Sequence, residues 1–324
     1  MIRLGYFEHP SYVPMLHHAY PLWREIASAS GTSLLHITGI AEIGPPDGAL
    51  VKGTLAASQL HGLEHEVLSA AELTRRYPAF DVPANYVAVL QPNGGYLEAE
   101  PAIAAMLKLA RAAGATVHAN ERVHAIEPHG SGVRIVTERD TVKATAAIVA
   151  AGAWTRSLLP QLSVPLRVTR EVMAWFEPID VPAIVALPVF LLESRYGMHY
   201  GLPAPARGLI KFAKHHHRSE TVDPDTCDRT ISAADEALIR TALAAHVPAA
   251  SGRMTAAKAC LYTVTPDGDF LIDRLPDAPQ IVVGSACSGH GFKFAPVIGE
   301  ILADLATTGT TTYDISRFKL SRFG

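Results

Sequence analysis

The segment from Gln280 to Leu305 limits the possible folds more than any other. An apolar β-type run, Gln280-Ile281-Val282-Val283-Gly284, leads into Ser288-Gly289-His290-Gly291-Phe292-Lys293-Phe294 and then a helical run, Pro296 to Leu305. A strand, a glycine-bearing turn and a helix start make an anion site: unbonded N–H groups at the helix N-terminus point into the turn, and the helix dipole adds positive charge. The glycines let backbone approach a bound group, and Lys293 adds a full cation. Glycine before a helix is also ordinary turn chemistry, so this segment alone names no ligand. Two further stretches lie just upstream: Cys260-Leu261-Tyr262-Thr263, and the turn Pro266-Asp267-Gly268-Asp269-Phe270-Leu271-Ile272-Asp273.

The composition excludes several classes. With 324 residues, 48% hydrophobic and 18% charged, the chain can bury one large core or two interleaved ones. A net charge of −3 gives no general attraction to nucleic acid or an anionic membrane. No apolar run reaches the roughly 18 residues of a spanning helix, and no signal peptide opens the chain. The three cysteines, Cys227, Cys260 and Cys287, are odd in number and widely spaced. They read as reduced thiols in a cytoplasmic protein.

Periodicity predicts a mixed α and β order. Helices are expected over His9–Ala29, Leu50–Leu63, from Ser69 (N-cap, with Glu72 in the capping-box position) to about Tyr77, over Glu100–Ala113, and from Ser232 to Ala245. Strands are expected over Leu34–Ile43, Thr116–Ala119, Ala146–Gly152 (buried type), Val164–Phe176, Val189–Glu193, Tyr196–Tyr200, Leu209–Ala213 and Met254–Val264. Tyr86–Leu90 and Gly95–Leu97 flank a hairpin-like link, and Arg122–Ile126, Val133–Glu138 and the region of Val142 suggest an antiparallel ribbon. A parallel lobe is thus interrupted by an antiparallel one. Lys211, inside the apolar run Gly208-Leu209-Ile210-Lys211-Phe212, is costly to bury without a task or a partner, unless it snorkels from a strand edge. Adjacent histidines on a strand face opposite ways, so His215-His216-His217 is not expected to hold a metal.

Cys-x-Tyr-Thr at 260–263, the 266–273 turn and Ser-Gly-His-Gly-Phe-Lys-Phe at 288–294 together resemble the flavin-dependent amine oxidases of the monomeric sarcosine oxidase and N-methyltryptophan oxidase family. The resemblance covers nearly the whole chain. It implies a Rossmann-like FAD-binding lobe (residues 1–30, 95–163 and 265–324) interleaved with an antiparallel-sheet substrate lobe (31–94 and 164–264). It implies a monomer that oxidises a secondary or N-methylated amino acid to an imine while O2 becomes H2O2. By the same resemblance Cys260 forms a thioether to the FAD, although a buried cysteine is commonly just a small hydrophobe. Val123, Gly152, Trp154, Gly289, His290, Gly291, Phe292 and Lys293 belong to the cofactor site, His290 chiefly as part of the turn. Lys211 assists the reaction with oxygen. Arg3 and Lys293 bind the substrate carboxylate. Tyr200, Tyr262 and His215 line the amine pocket with Leu191, Tyr262 and His215 taking part in catalysis; the tyrosines read equally as core aromatics. A dehydrogenase with another electron acceptor is the alternative on this fold.

One element of that resemblance is not found. The chain contains no Gly-x-Gly-x-x-Gly, whose glycines admit a dinucleotide pyrophosphate to a helix N-terminus. Family members carry that first βαβ unit directly before a segment like Ile2-Arg3-Leu4-Gly5-Tyr6. The expectation is that this sequence begins just after it, through a start assigned downstream of the true one or through truncation to a non-catalytic remnant, the first being preferred. This polypeptide expressed alone is then expected to be flavin-poor or poorly soluble.

Overall fold

The computed structural model describes residues 1–204 and 207–324. After a 3-10 turn, Pro10–Tyr12, the first helix, α1 (Val13–Ser30), buries Val13, Leu16, Ala19, Tyr20 and Trp23. The strand expected from Leu34 to Ile43 is two, β1 (Leu35–Ile37) and β2 (Ile40–Gly44), because Gly39 breaks the run with φ +73°. Next come α2 (Ala49–His61), β3 (Glu66–Ser69) and α3 (Ala70–Arg76), the last with the expected Ser69–Glu72 capping box. β4 (Val87–Gln91) and β5 (Gly95–Leu97) do not form the hairpin their spacing predicts. β4 is drawn between β2 and β3, where Ala88 and Val89 are fully buried, while β5 pairs with β1 on one side and bridges Ile2 on the other.

α4 (Ala99–Ala112) is the amphipathic helix expected. Thr116 to Ala119 is irregular rather than a strand: every residue there is exposed, so there is no apolar face to fix a ladder. β6 (Val123–His129), β7 (Gly132–Thr137) and β8 (Thr141–Ala144) form the antiparallel ribbon. β9 (Ala147–Val149) buries Ala147 and Val149 but leaves Ile148 45% exposed, so it is covered on one face only. A 3-10 turn, Gly152–Trp154, and α5 (Thr155–Leu158) lead to β10 (Arg167–Phe176), α6 (Val181–Val185), β11 (Val189–Ser194), β12 (Gly197–Ala204) and β13 (Leu209–Lys214). α7 (Ala233–His246) opens with a Ser232–Asp235 capping box, and β14 (Met254–Val264) has the expected bounds. β15 (Leu271–Leu275), β16 (Ala278–Ser285) and α8 (Ala295–Thr307) follow, and two 3-10 turns, Ser316–Phe318 and Leu320–Phe323, come last.

The fold is mixed α/β. Eight strands form one sheet in the order β14-β10-β13-β12-β11-β2-β4-β3, antiparallel except where β11 meets β2. A smaller sheet, β15-β16-β9, contains the parallel pair β9 and β16. The back of the large sheet is apolar: Phe176, Phe190 and Phe212 pack with Phe80 and with Ile239, Ala242 and Leu243 of α7. Burial of each such side chain stabilises the fold by about 1.5–3 kcal/mol, which frees the front face to carry polar groups. A second core gathers α1 and α8 around Phe270 and Phe294, and so fixes the turn before α8 opposite that front face.

Candidate active site

Strand register decides which side chains share the front face. Val89, Glu42, Leu191, Tyr200, Ala213, Met173 and Lys258 are successive cross-strand partners from β4 to β14, so they form one row on one face. Period-two alternation adds Lys211 on β13 and Cys260 and Tyr262 on β14. His215 extends β13 through its N–H to the Met198 carbonyl (2.8 Å), and His216 then turns the chain with φ +54°. His217 points elsewhere, bonding Asp235 through Nε2 at 2.9 Å. The three histidines therefore do not share one centre.

The turn before α8 faces this row. Gly289 has φ +82°, and a Cβ there would run into the Tyr262 ring and His215; a Cβ on Gly291 would strike the Ala286 carbonyl. Both positions need glycine, one for conformation and closeness, the other for closeness alone. His290 is built into the turn. Its Nε2 lies 3.1 Å from the Gly268 carbonyl, which can only accept, so Nε2 carries the proton and Nδ1 accepts from Tyr6 Oη at 2.6 Å. Burial lowers its pKa to about 4, so it stays neutral.

A cavity of about 320 Å³ lies between the sheet and the turn. Arg3, Tyr200, Lys211, His215, Tyr262, Gly289, His290, Phe292 and Lys293, all expected at the site, line it together with Leu191. Val123 and Trp154 line a different hollow, with Arg122 and Asp225, and Cys260, Gly152 and Gly291 line neither. The Gly152–Trp154 turn nevertheless packs against β14, the strand that carries Cys260. A larger hollow, about 870 Å³, lies between β6 and the C-terminal residues and gathers none of the expected site residues.

Cations crowd the cavity. Lys293 is 6% exposed and donates to the His290 carbonyl (2.5 Å) and Tyr6 Oη (3.3 Å), which leaves one N–H for a ligand. Burial first, then Arg3, lowers its pKa to about 7. Burial also lowers Lys211, which lies 5.5 Å from the Trp175 ring centre. Arg3 donates through Nε to Glu42 (2.9 Å) and through Nη2 to Glu8 (2.7 Å), and its guanidinium lies 4.4 Å from the Tyr6 ring centre. Nη1 has no partner among the described residues. Burial opposes the charge on Arg3, yet Glu8 and Glu42 raise its pKa. His215 falls to about 3, mainly by burial, so it cannot serve as a cation at neutral pH. Burial pushes the Cys260 thiol up to about 11, with Lys211 pulling the other way.

Three polar residues at this site, Tyr6, Glu8 and Glu42, escaped the sequence reading, as did apolar lining residues such as Met173, Met198 and Leu202. Tyr6 and Glu8 sit in an irregular segment with no periodicity to flag them. Glu42 had a signal: an acid inside the apolar run Ile40-Ala41-Glu42-Ile43, the same argument that picked out Lys211.

The residues fit a flavin at its ring end. Gly152 adopts φ +54° and would place a Cβ in open space, so the backbone there is bare to a planar group. Phe292, a large apolar side chain left 38% exposed, shares the cavity with buried cations that would meet negative charge on a reduced ring, while Trp154, 39% exposed, lines the separate hollow.

The sequence profile of the FAD dependent oxidoreductase (DAO) family matches residues 1–305. Monomeric sarcosine oxidase from Bacillus sp. (strain NS-129) is 38% identical over 329 residues, covering 99% of this chain and 85% of that protein. N-methyl-L-tryptophan oxidase from Yersinia pestis (strain Pestoides F) is 34% identical over 327 residues, covering 100% of this chain and 87% of that one. Among solved structures, the open form of NikD, an unusual amino acid oxidase essential for nikkomycin biosynthesis, superposes with a TM-score of 0.81 at 26% identity, over 95% of this chain and 82% of that chain. L-proline dehydrogenase from P. horikoshii, at 21% identity, shares the fold with a TM-score of 0.86 over 100% of this chain and 86% of its own.

Proposed function

Because this chain belongs to the FAD-dependent oxidoreductase family, we propose that it oxidises a secondary or N-methylated amino acid, of the sarcosine or N-methyltryptophan type, to the imine. The observation that carries this reading is the convergence of Arg3, Lys293, Tyr200, Tyr262, His215 and Lys211 on one cavity beside the Gly289 turn. FAD, when bound, supplies the two-electron acceptor for the amine's hydride. In this reading residues 1–30, 95–163 and 265–324 carry the cofactor, and 31–94 and 164–264 carry the substrate.

The protein's own work is placement and charge. Arg3 Nη1 and the spare N–H of Lys293 hold the substrate carboxylate, and two cations on one carboxylate fix its orientation. Met173, Leu191, Met198 and Leu202 give the rest of the cavity an apolar lining suited to an alkyl or aromatic side chain. Tyr200 and Tyr262 stay protonated, their pKa values raised by burial, and offer O–H groups to the amine. Lys211 stabilises the negative charge that develops as O2 is reduced to H2O2. Val123, Gly152, Trp154, Phe292 and the Gly289-His290-Gly291 backbone would hold the cofactor, and Cys260 would be its covalent anchor. We propose a monomer in the cytoplasm; no helix among the described residues is long and apolar enough to cross a membrane.

The test is anaerobic mixing of FAD-loaded protein with sarcosine, N-methyltryptophan and the parent primary amino acids. Bleaching by the N-methylated compounds supports the reading, and no bleaching by any of them rejects it. Peroxide on readmission of air separates an oxidase from a dehydrogenase with another acceptor.

A further inference from the structure

Glu42 is an anomaly in this site. It is 0% exposed and sits in the front-face row beside the cavity residue Leu191. Its Oε1 accepts from Arg3 Nε, but its Oε2 is buried with no partner. The neighbouring Thr54 hydroxyl on α2 is likewise buried and unpartnered. The hydroxyl can donate to the ionised acid, which lowers its pKa, or accept from a protonated one, so Oε2 can take up a proton without losing its neighbour.

Arg3, Lys211 and Lys293 all line the cavity, but it is Arg3 that bonds both Glu42 and Glu8. A carboxylate bound at Arg3 would add a third negative charge to one guanidinium, which disfavours the ionised form of the buried acid it faces. Glu8 keeps an 18% exposed side chain and its Arg3 contact at 2.7 Å, and that contact holds its pKa down. Glu42 is the better proton acceptor: burial already lifts its pKa to about 7. The charged groups facing it are Arg3 and Glu8 from the N-terminal segment; Thr54 faces it from α2, and its strand neighbours Leu191 on β11 and Val89 on β4 are uncharged.

We propose that Glu42 sets the affinity of this pocket for an anionic headgroup by taking up a proton when a carboxylate binds at Arg3 and Lys293. The inference rests on the carboxylate-binding reading of those two residues. It makes Glu42 a residue that tunes substrate affinity through Arg3 without touching substrate. Glu42 weakens anion binding at alkaline pH and leaves it undiminished at acidic pH.

The experiment is calorimetric titration of the FAD-loaded protein with acetate, and with acetamide as the neutral control, at pH 8 and pH 5.5. At pH 8 it is run in buffers of different ionisation enthalpy. Binding of acetate but not acetamide is expected, with proton uptake at pH 8. Glu42→Gln, whose amide oxygen still accepts from Arg3 Nε, is expected to take up about one proton fewer per acetate and to bind acetate several-fold tighter at pH 8 but equally at pH 5.5. Thr54→Val removes a hydroxyl that favours the ionised acid, so Glu42 is already more protonated before acetate binds and uptake is expected to fall in the same direction, which keeps the test open should Glu42→Gln fail to fold. If acetate binds and proton uptake is unchanged in both variants, the role of Glu42 is overturned while the carboxylate site stands. If acetate does not bind at all, the carboxylate site itself fails, and this inference with it.

Discussion

Two buried carboxylates in this protein each face an arginine, and they are treated in opposite ways. Asp235, at the start of α7, accepts from Arg170 Nη1 and Nη2 (3.2 and 3.1 Å), His217 Nε2 (2.9 Å), and the N–H and hydroxyl of Ser232 (both 2.9 Å). Burial would raise its pKa, but these donors hold it below the ordinary value of 3.8. Glu42 accepts one bond and rises to about 7. The first cluster locks α7 to the sheet, and its carboxylate is saturated. The second, beside the cavity, is left incomplete, which is where a site that must respond to a ligand keeps its unsatisfied groups.

The largest effect should come from breaking the saturated cluster. Asp235→Ala strands Arg170 and His217, and thermal or urea unfolding should register a loss of about 3–5 kcal/mol. Acetate affinity should not change, because the cluster lies off the cavity. A loss under about 1 kcal/mol would mean that the network does not hold the fold.

Glu42→Gln should do the reverse, with a pH dependence that follows from its raised pKa. Below about pH 4.5 the acid is protonated in both folded and unfolded states and costs nothing. As pH rises toward 7 the unfolded chain ionises first, so stability falls, and above 7 the full cost is present. The displacement from 4.5 to about 7 corresponds to roughly 3 kcal/mol against the ionised form. The variant should therefore be more stable than the parent at pH 8 and indistinguishable from it at pH 4. Equal stability at both pH values would place Glu42 with Asp235, as a satisfied structural acid.

Two smaller tests concern the front face itself. Lys211→Met should slow reoxidation of reduced flavin by about a hundredfold while flavin reduction by substrate changes far less, read by stopped-flow in separate half-reactions. Equal slowing of both would make Lys211 a structural cation. Cys260→Ala should change stability by less than about 1 kcal/mol, since the side chain is small and half-buried. It should also release FAD on acid denaturation where the parent retains it; release from the parent would remove the covalent anchor.

The same contrast explains what the sequence could reveal. The start of α7 at Ser232 was legible, but Asp235 three residues on, which closes its capping box, was not picked out. β14 was legible because its eleven residues contain no glycine or proline and end in the β-type run Cys260-Leu261-Tyr262-Thr263-Val264. The glycine turn and most cavity residues were legible through their motifs. The false hairpin between β4 and β5 had a turn-like link, Gln91 to Gly95, but its strands were claimed by nonlocal partners, Ile2 among them. Thr116 to Ala119 had the local preference for a strand and no surface to bury. Glu42 and Glu8 matter only because folding brings them to Arg3, 39 and 5 residues away, and no local pattern encodes that meeting.

The most direct measurement is a crystal structure of the FAD-loaded protein with a slow N-methyl amino-acid analogue. The account predicts the carboxylate of that ligand on Arg3 Nη1 and Lys293 Nζ, with the amine toward Tyr200 and Tyr262 and the flavin ring beside Cys260. A ligand seated in the larger hollow at β6, or a carboxylate bound away from both cations, would contradict it.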